Sequence, residues 1–589
     1  MKRIQSIERT TTPIFNTSLG LSCIILILTF ATYSRTFTFS FVHDDIFHLF
    51  TDPRLHSWEH WSGIFTEHLW SPLFPEGGNY YRPTTLFWFL IQNTLFGSNA
   101  ALWHFAAVSL HVGVTALVHR LAYRILEDPL SAAAAALVFG LHPVHAESVA
   151  WISASVDPLM AFFTLSAFLC FLRWHDTKMS GLGGKARWLA WSLLFYALAQ
   201  LTKETAVVFP AIIFVSACFL KQQHQATWRL TLLSALRAAI PYVFLTGLYL
   251  VVRILVLGRI AAGVDSAPMS SLLFTLPKVL SVYLQHLLFP VELSPFYDTP
   301  YISSFSWAAV GFPLVLIALT IAGLVYWSRR SKIVPLASAW LFLPLLPVLN
   351  LSLLPEAERF HDRFLYMPSV GFVMLFGLAI TMLKGAGAHA FGFPVLRISV
   401  VIGVCVALAL GTVVQSVHWR DDMHLFRRAA ITAPGNDAVL NNLGRQLIRS
   451  AQLDEAEAIL QRVVARNPGY AMSLLNLGRI YLHRGDYERA QEYLLRASEK
   501  NPSDPDIYVN LGFIHRRISK PDQAEENFRL AIAHSRGRPG YGNPLGVLLR
   551  DQGRLIEALE VFEAELQLDS GQADVRAQVE QLRARIQAQ

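Results

Sequence analysis

A chain of 589 residues in which 53% are hydrophobic and only 15% charged is too apolar for a large soluble enzyme and falls in the polytopic membrane class. The net charge of +7 belongs wholly to the part before residue 420, where 26 Lys/Arg stand against 19 Asp/Glu; from 420 onward there are 23 of each. Those basic residues sit in short loops between apolar runs, where orientation signals are expected, and this excludes nucleic acid as a partner. Cys23, Cys170, Cys218 and Cys405 all lie in apolar runs with no metal-type spacing and no disulfide framework.

In chain order, Met1-Lys-Arg and the apolar stretch after it have the charge order of a signal sequence, but no small-residue cleavage site follows, so an uncleaved first membrane helix is expected. Runs able to reach across roughly 30 Å of hydrocarbon predict helices at 17–36, 100–124, 130–143, 156–173, 188–201, 206–220, 236–257, 307–328, 333–352, 364–384 and 394–416. A further apolar stretch at 277–290, bounded by prolines, reads as a re-entrant or surface helix. With Lys2, Arg3 and Arg9 inside, basic residues such as Lys178, Arg187 and Arg329 also fall inside, while most acidic residues fall outside. An odd count of eleven puts everything after 419 on the same outer side as Asp44 and Asp45.

From 420 the character changes. Leu443-Gly444, Leu477-Gly478, Leu511-Gly512 and Leu545-Gly546 recur every 34 residues, as do Ala456, Ala490, Ala524 and Ala558. This is the tetratricopeptide pattern, in which small residues let paired helices approach and each repeat buries its face by stacking on the next. Four repeats and a capping helix are expected. The fold class is therefore all-α: a polytopic membrane bundle of about eleven helices (1–419, with a long first outer loop at 37–99) followed by a repeat solenoid (420–589). A repeat array is a binding surface, so chemistry is sought in the membrane part.

Outer-side ionisable residues gather in five clusters. Asp44-Asp45 follows the first helix in a loop that ends Tyr80-Tyr81-Arg82-Pro83; His142-Pro143-Val144-His145-Ala146-Glu147 precedes Asp157; Lys203-Glu204 joins two short helices; 295–298 follows the proline-bounded stretch; and 356–363 ends in Asp362-Arg363. A Lys-Glu pair between apolar runs must be buried in protein or line a wet cavity. A cavity lined by all five clusters holds a carboxylate pair, two histidines and the cations Lys203, Arg82 and Arg363, which suits transfer from an anionic phosphate donor.

The ordered set Asp-Asp, Tyr-Tyr-Arg-Pro, His-Pro-Val-His-Ala-Glu, Thr-Lys-Glu-Thr and Asp-Arg-Phe-Leu-Tyr-Met-Pro, followed by repeats, resembles the transmembrane and tetratricopeptide-repeat-containing O-mannosyltransferases, integral-membrane enzymes of the GT-C superfamily. The resemblance implies a polyprenyl-phosphate-linked sugar donor, transfer of mannose or another hexose to Ser or Thr of a protein acceptor, and an acidic base in the first outer loop. That base carries over to Asp45 or Asp44, with Asp45 preferred. Arg363, Arg82 and Lys203 are expected to bind the donor phosphate, with His142, His145, Glu147, Asp157, Glu204 and Asp362 supporting the cavity. No cofactor is required, although a divalent cation, Mg²⁺ or Mn²⁺, on Asp44, Asp45 and the phosphate stays open. The expected place is a bacterial inner membrane with periplasmic repeats, or an endoplasmic-reticulum membrane with lumenal ones. An O-antigen-ligase-like transferase and a non-enzymatic transporter or scaffold are the alternatives.

Overall fold

The computed structural model describes residues 14–72, 78–176, 182–220, 227–259, 267–353, 359–383, 388–391, 393–569 and 571–588. Lys2, Arg3, Arg9, Lys178 and Glu356, on which parts of the sequence reading rest, lie outside the described residues. The chain forms two compact units, 1–432 and 433–589.

Each of the eleven expected runs forms a helix: Ile14–Tyr33, Ala100–Leu126, Pro129–Leu141, Val156–His175, Leu182–Thr202, Phe209–Leu220, Trp228–Leu257, Phe312–Ser328, Ile333–Phe342, Pro368–Met382 and Val395–Ser416. Among the described residues, seven helices are long and apolar enough to cross a membrane alone, six of them from the eleven expected runs and the seventh Met269–Leu288; Pro129–Leu141 with Pro143–Ala150, bent by 45°, makes an eighth when the pair is counted as one span. The run expected to reach 352 stops at Phe342, ahead of Pro344 and Pro347, because a ring without an N–H cannot continue the helical ladder.

The stretch expected at 277–290 is corrected by the structure. It is a continuous helix, Met269–Leu288, with Pro277 inside it rather than at its edge. The helix is amphipathic, with Met269, Leu273 and Leu288 exposed and Tyr283 and Leu287 buried. Its polar bonds reach Ile302 and Asp362 in loops and His142 at the bend after Pro129–Leu141: Thr275 Oγ1 accepts from Ile302 N at 2.9 Å, His286 Nδ1 meets Asp362 Oδ1 at 2.9 Å, and the Leu287 carbonyl meets His142 Nε2 at 3.0 Å.

Small residues set the bundle's centre. Ala132 to Ala136 are all buried, and their helix packs against Ile14–Tyr33, Ala100–Leu126, Pro368–Met382 and Val395–Ser416. Without long side chains, four neighbours can approach one helix. Gly371 allows the closest crossing, since a Cβ there would stand 2.3 Å from the Ala337 carbonyl oxygen.

The first unit does not end with the last apolar helix. The helix Asp422–Thr432 buries Leu425, Phe426 and Ala429, and Arg428 donates to the Leu293 carbonyl at 2.9 Å, so the unit extends to Thr432 rather than 419.

The second unit consists of four helix pairs, from Asp437–Arg449 with Leu453–Arg466 to Gly542–Asp551 with Leu555–Leu568, then the capping helix Ala573–Gln587. The glycine of each repeat is where the paired helix presses in. A Cβ at Gly444, Gly478, Gly512 or Gly546 would lie 2.7, 2.7, 2.4 or 2.6 Å from Leu460, Leu494, Phe528 or Phe562. Gly512→Val is therefore expected to cost about 1–3 kcal/mol by overpacking, read as a lower midpoint for the repeat unit in thermal or urea unfolding followed by circular dichroism.

Candidate active site

A partly open cavity of about 360 Å³ lies in the first unit. It is lined by His43, Asp44, His48 and Arg82 of the first outer loop, by Trp151, Ser153 and Asp157, by Lys203 and Glu204, by Arg253, by Pro295 and Phe296, and by His361, Arg363, Phe364 and Trp419. Of the expected residues it thus brings together Asp44, Arg82, Asp157, Lys203, Glu204 and Arg363. Asp45, His142, His145, Glu147 and Asp362 do not line it.

Arg82, Lys203, Glu204 and Arg363 sit where a helix is interrupted. Arg82 precedes Pro83, which starts the helix Pro83–Phe96 with its fixed φ. Lys203 is extended (φ −153°, ψ 135°) between Leu182–Thr202 and the turn Glu204–Val208, so the two helices cannot fuse and the pair faces inward. Arg363 lies in the short turn Asp362–Leu365, ahead of Pro368. The first outer loop is itself folded: Leu49, Leu55, Ile64, Leu69, Leu86 and Phe89 form a small core, and buried Arg54 is tied to Asp52 at 2.7 Å.

The acidic pair splits. His43 takes the left-handed conformation (φ +53°), which a β-substituted residue adopts at a cost, and its N–H is held by Asp422 Oδ1 at 2.8 Å. The chain then turns so that Asp44 faces the cavity, its side chain 40% exposed, with its Oδ1 2.7 Å from His43 Nδ1. Asp45 points the other way, fully buried, accepting from Val42 N at 3.1 Å, Ser153 N at 2.8 Å and Ser153 Oγ at 2.5 Å. Burial pushes the Asp45 carboxyl up to about 6 in spite of those bonds. For Asp44, burial also acts upward, but the neighbouring His43 and Arg363 outweigh it and hold the carboxyl below its ordinary value. The sequence preference fell on Asp45, yet Asp45 does not line the cavity and Asp44 does. The Asp45 oxygens are spent on pinning the first loop to the 152–155 turn, and Asp44 is the one presented.

Two cavity carboxylates are neutralised in place. Glu204 takes Arg82 in a two-pronged pair, at 3.0 and 2.6 Å, and Asp157 takes Lys203 at 2.5 Å. The Glu204 carboxylate more than offsets the burial of the Arg82 guanidinium and raises its pKa, whereas for Lys203 burial prevails and the pKa falls. Lys203→Met would strand Asp157 in a dry wall, a loss of roughly 3–5 kcal/mol. Thermal unfolding should show the double variant Lys203→Met/Asp157→Leu more stable than the single one. Asp44 carries no Arg or Lys partner within ion-pair distance among the described residues. Arg363 is braced from behind: its N–H donates to Glu147 Oε2 at 3.0 Å, its Nε lies 3.6 Å from Glu147 Oε1, and its guanidinium stacks 4.9 Å over Trp151, itself stacked on Trp419.

The supporting residues stand behind the wall. Pro143 forces His142 out of helical conformation (ψ 126°) and bends the span by 45°, which turns Glu147 inward beneath Arg363 and 3.1 Å from His361 Nδ1. Asp362 is held by His286 at 2.9 Å and Tyr297 at 2.8 Å. His142 bonds the Leu287 carbonyl at 3.0 Å, and His145 bonds the Phe139 carbonyl at 2.9 Å and Ser369 Oγ at 3.0 Å. These four residues shape the cavity without facing it, because the protein's own groups consume their polar atoms.

Arg253 was missed. It lies inside an apolar run, where an ionisable residue is itself a signal, and it reaches the cavity while donating to the Asn79 carbonyl at 2.6 Å. His43, His48, Trp151 and Trp419 carry no comparable signal in the sequence. Among the described residues no group of three or more His, Cys, Asp or Glu is placed to hold a metal ion. A cation shared by both aspartates fits poorly, since Asp45 gives both its oxygens to protein donors.

Comparison with known proteins follows the same division into two units. The tetratricopeptide-repeat family model matches residues 441–505 and 484–541. Protein O-mannosyl-transferase TMTC3 of Mus musculus is 25% identical over 466 residues, covering 72% of this chain and 49% of the relative. Protein O-mannosyl-transferase TMTC4 of Homo sapiens is 26% identical over 476 residues, covering 70% and 62%. The chain is similar to the transmembrane and tetratricopeptide-repeat O-mannosyltransferases. The O-mannosyltransferase-like chain spans about half the length of the mouse relative. A thermophilic tetratricopeptide-repeat protein of Thermus thermophilus is 25% identical and covers 31% of this chain and 95% of its own, with a TM-score of 0.26. The O-mannosyltransferase-like chain is a multi-pass membrane protein with an all-α bundle followed by a repeat solenoid.

Proposed function

We propose that the first unit is a GT-C-type glycosyltransferase that moves a hexose, mannose by analogy with the relatives' names, from a polyprenyl-phosphate donor to a Ser or Thr hydroxyl of a protein. The observation that carries this is the presence, in one cavity, of Asp44, without a Lys or Arg partner among the described residues, and of Arg363 with a guanidinium fixed from behind by Glu147 and Trp151. Asp44 takes the acceptor's proton as the hydroxyl oxygen bonds to the anomeric carbon. The bond from that carbon to the phosphate oxygen breaks, and the polyprenyl phosphate leaves against Arg363, with Arg253, Lys203 and Arg82 adding positive field. One base and no enzyme nucleophile make this a single displacement that inverts the anomeric carbon. The repeats hold the acceptor polypeptide, raising its effective concentration near the cavity. The cavity lies on the outer face of the membrane.

The test uses the full chain in lipid nanodiscs with a Ser/Thr-rich peptide and polyprenyl-phosphate mannose or glucose. The expected result is a peptide that gains one hexose of inverted configuration. No transfer from either donor, or transfer with retained configuration, overturns the proposal.

A further inference from the structure

A second concavity, of about 680 Å³, opens between the helices Ala100–Leu126, Val156–His175 and Leu182–Thr202. It lies at the far end of the bundle from Asp44. Trp103, near the start of the first of these helices, packs into the core of the outer loop, and Arg124 stands roughly 30 Å further along the same helix at 1.5 Å per residue.

Its lining is divided. Arg120, Arg124 and Arg173 line it with a single lining carboxylate, Glu127, and Leu117, Leu169 and Phe195 stand one to two turns from Arg120, Arg173 and Trp188 on the same three helices, an apolar strip beside the charges. Arg120 has no carboxylate within ion-pair distance among the described residues. Arg124 is bound only loosely, 3.4 Å from Asp176 and 3.2 Å from the Leu172 carbonyl. Arg173 stacks 4.4 Å over the Trp188 ring, which leaves the rim of its guanidinium for another acceptor. Trp188 Nε1, also in the lining, is buried with no hydrogen-bond partner. Three cations and an idle donor against Glu127 and the loosely held Asp176 leave positive charge for an anion, and the apolar residues a turn or two away leave room for a chain.

We propose that this concavity binds the phosphate headgroup of an anionic membrane lipid, with the acyl chains lying along Leu117, Leu169 and Phe195. Arg presents a planar fork to phosphate oxygens, and basic pockets between membrane helices at the inner end suit such headgroups. A free phosphate would use the arginines but not the strip. The site is independent of the reaction proposed above.

The test is native mass spectrometry of the full chain in detergent, titrated with phosphatidylglycerol or phosphatidylcholine, with inorganic phosphate as competitor. The intact chain is expected to retain one phosphatidylglycerol in preference to phosphatidylcholine. Replacing Arg120, Arg124 and Arg173 together by Gln should weaken that retention about tenfold or more. Leu117→Trp, which fills the strip and leaves every charge in place, should weaken it too, and this guards against a triple variant that folds poorly. Equal retention of the two lipids, undiminished retention in Leu117→Trp, or full displacement by inorganic phosphate would each overturn the proposal.

Discussion

Asp44→Asn is expected to lower hexose transfer by at least about a hundredfold, the contribution of a positioned general base, while donor binding, followed by retention of the lipid-linked sugar on purified protein, stays near normal. The residue lines the cavity and no Lys or Arg ties its carboxylate, so an amide removes basicity and little structure. Asp45→Asn should behave differently. One of its two oxygens becomes an N–H₂ that cannot accept from Val42 N or from Ser153, and an unmet buried donor costs about 1–3 kcal/mol. The expected signature is a lower melting temperature with a modest loss of turnover. The two variants exchanging these behaviours would return the base to Asp45. The pH profile gives a second check. His43 helps hold Asp44 below its ordinary value against the upward pull of burial, and only the ionised carboxylate accepts a proton. Transfer should therefore persist as pH falls through the usual carboxylate range and decline below it. His43→Phe should move that acidic limb upward.

Arg363→Ala is expected to cost about 10²–10³-fold in kcat, the scale reported by removing one preorganised group that meets charge developing in a transition state. Arg363→Lys should recover only part of it. A lysine keeps the charge but neither stacks as a plane on Trp151 nor presents a fork to the phosphate. The measurement is steady-state kinetics over donor concentration, with the donor KM separated from kcat. A change confined to KM would mean that Arg363 holds the donor equally in ground and transition states. Glu147→Gln makes an indirect test, since Glu147 bonds the Arg363 backbone and lies beside its side chain. It should produce a smaller kcat loss than Arg363→Ala, because the cation remains and only its aim is loosened.

Helix positions and repeats were legible because they depend on periodicity. All eleven apolar runs lie on helices, six of them long enough to cross a membrane alone, and the 34-residue spacing of Leu-Gly became four helix pairs, since both patterns state which faces must be buried. The Met269–Leu288 helix was misjudged because Pro277 was taken as a boundary. A proline inside a helix forfeits one hydrogen bond and bends the axis without ending it when packing on both sides continues. The site was half legible. Charged residues next to helix breaks were found because an ion pair near hydrocarbon must face a cavity, and Arg82, Asp157, Lys203, Glu204 and Arg363 do. Side-chain direction was not. Asp44 and Asp45 differ only in which side of a turn each occupies, and that is set by the conformation of His43 and by Ser153, more than a hundred residues away. His142 and His145 looked like cavity residues for the same reason, and it took tertiary carbonyls to satisfy them elsewhere.

The helix Asp422–Thr432 bears on where this protein can be cut. A chain shortened to the end of its last apolar helix keeps every transmembrane segment yet removes Asp422, whose carboxylate caps the one strained peptide N–H that orients the first loop. Such a fragment would insert and fold as a bundle but leave His43 free to relax, and Asp44 with it. The shortest active form of the first unit is therefore expected to end near residue 432, and transfer lost on deleting the repeats would be evidence about the repeats only when that helix is left in place.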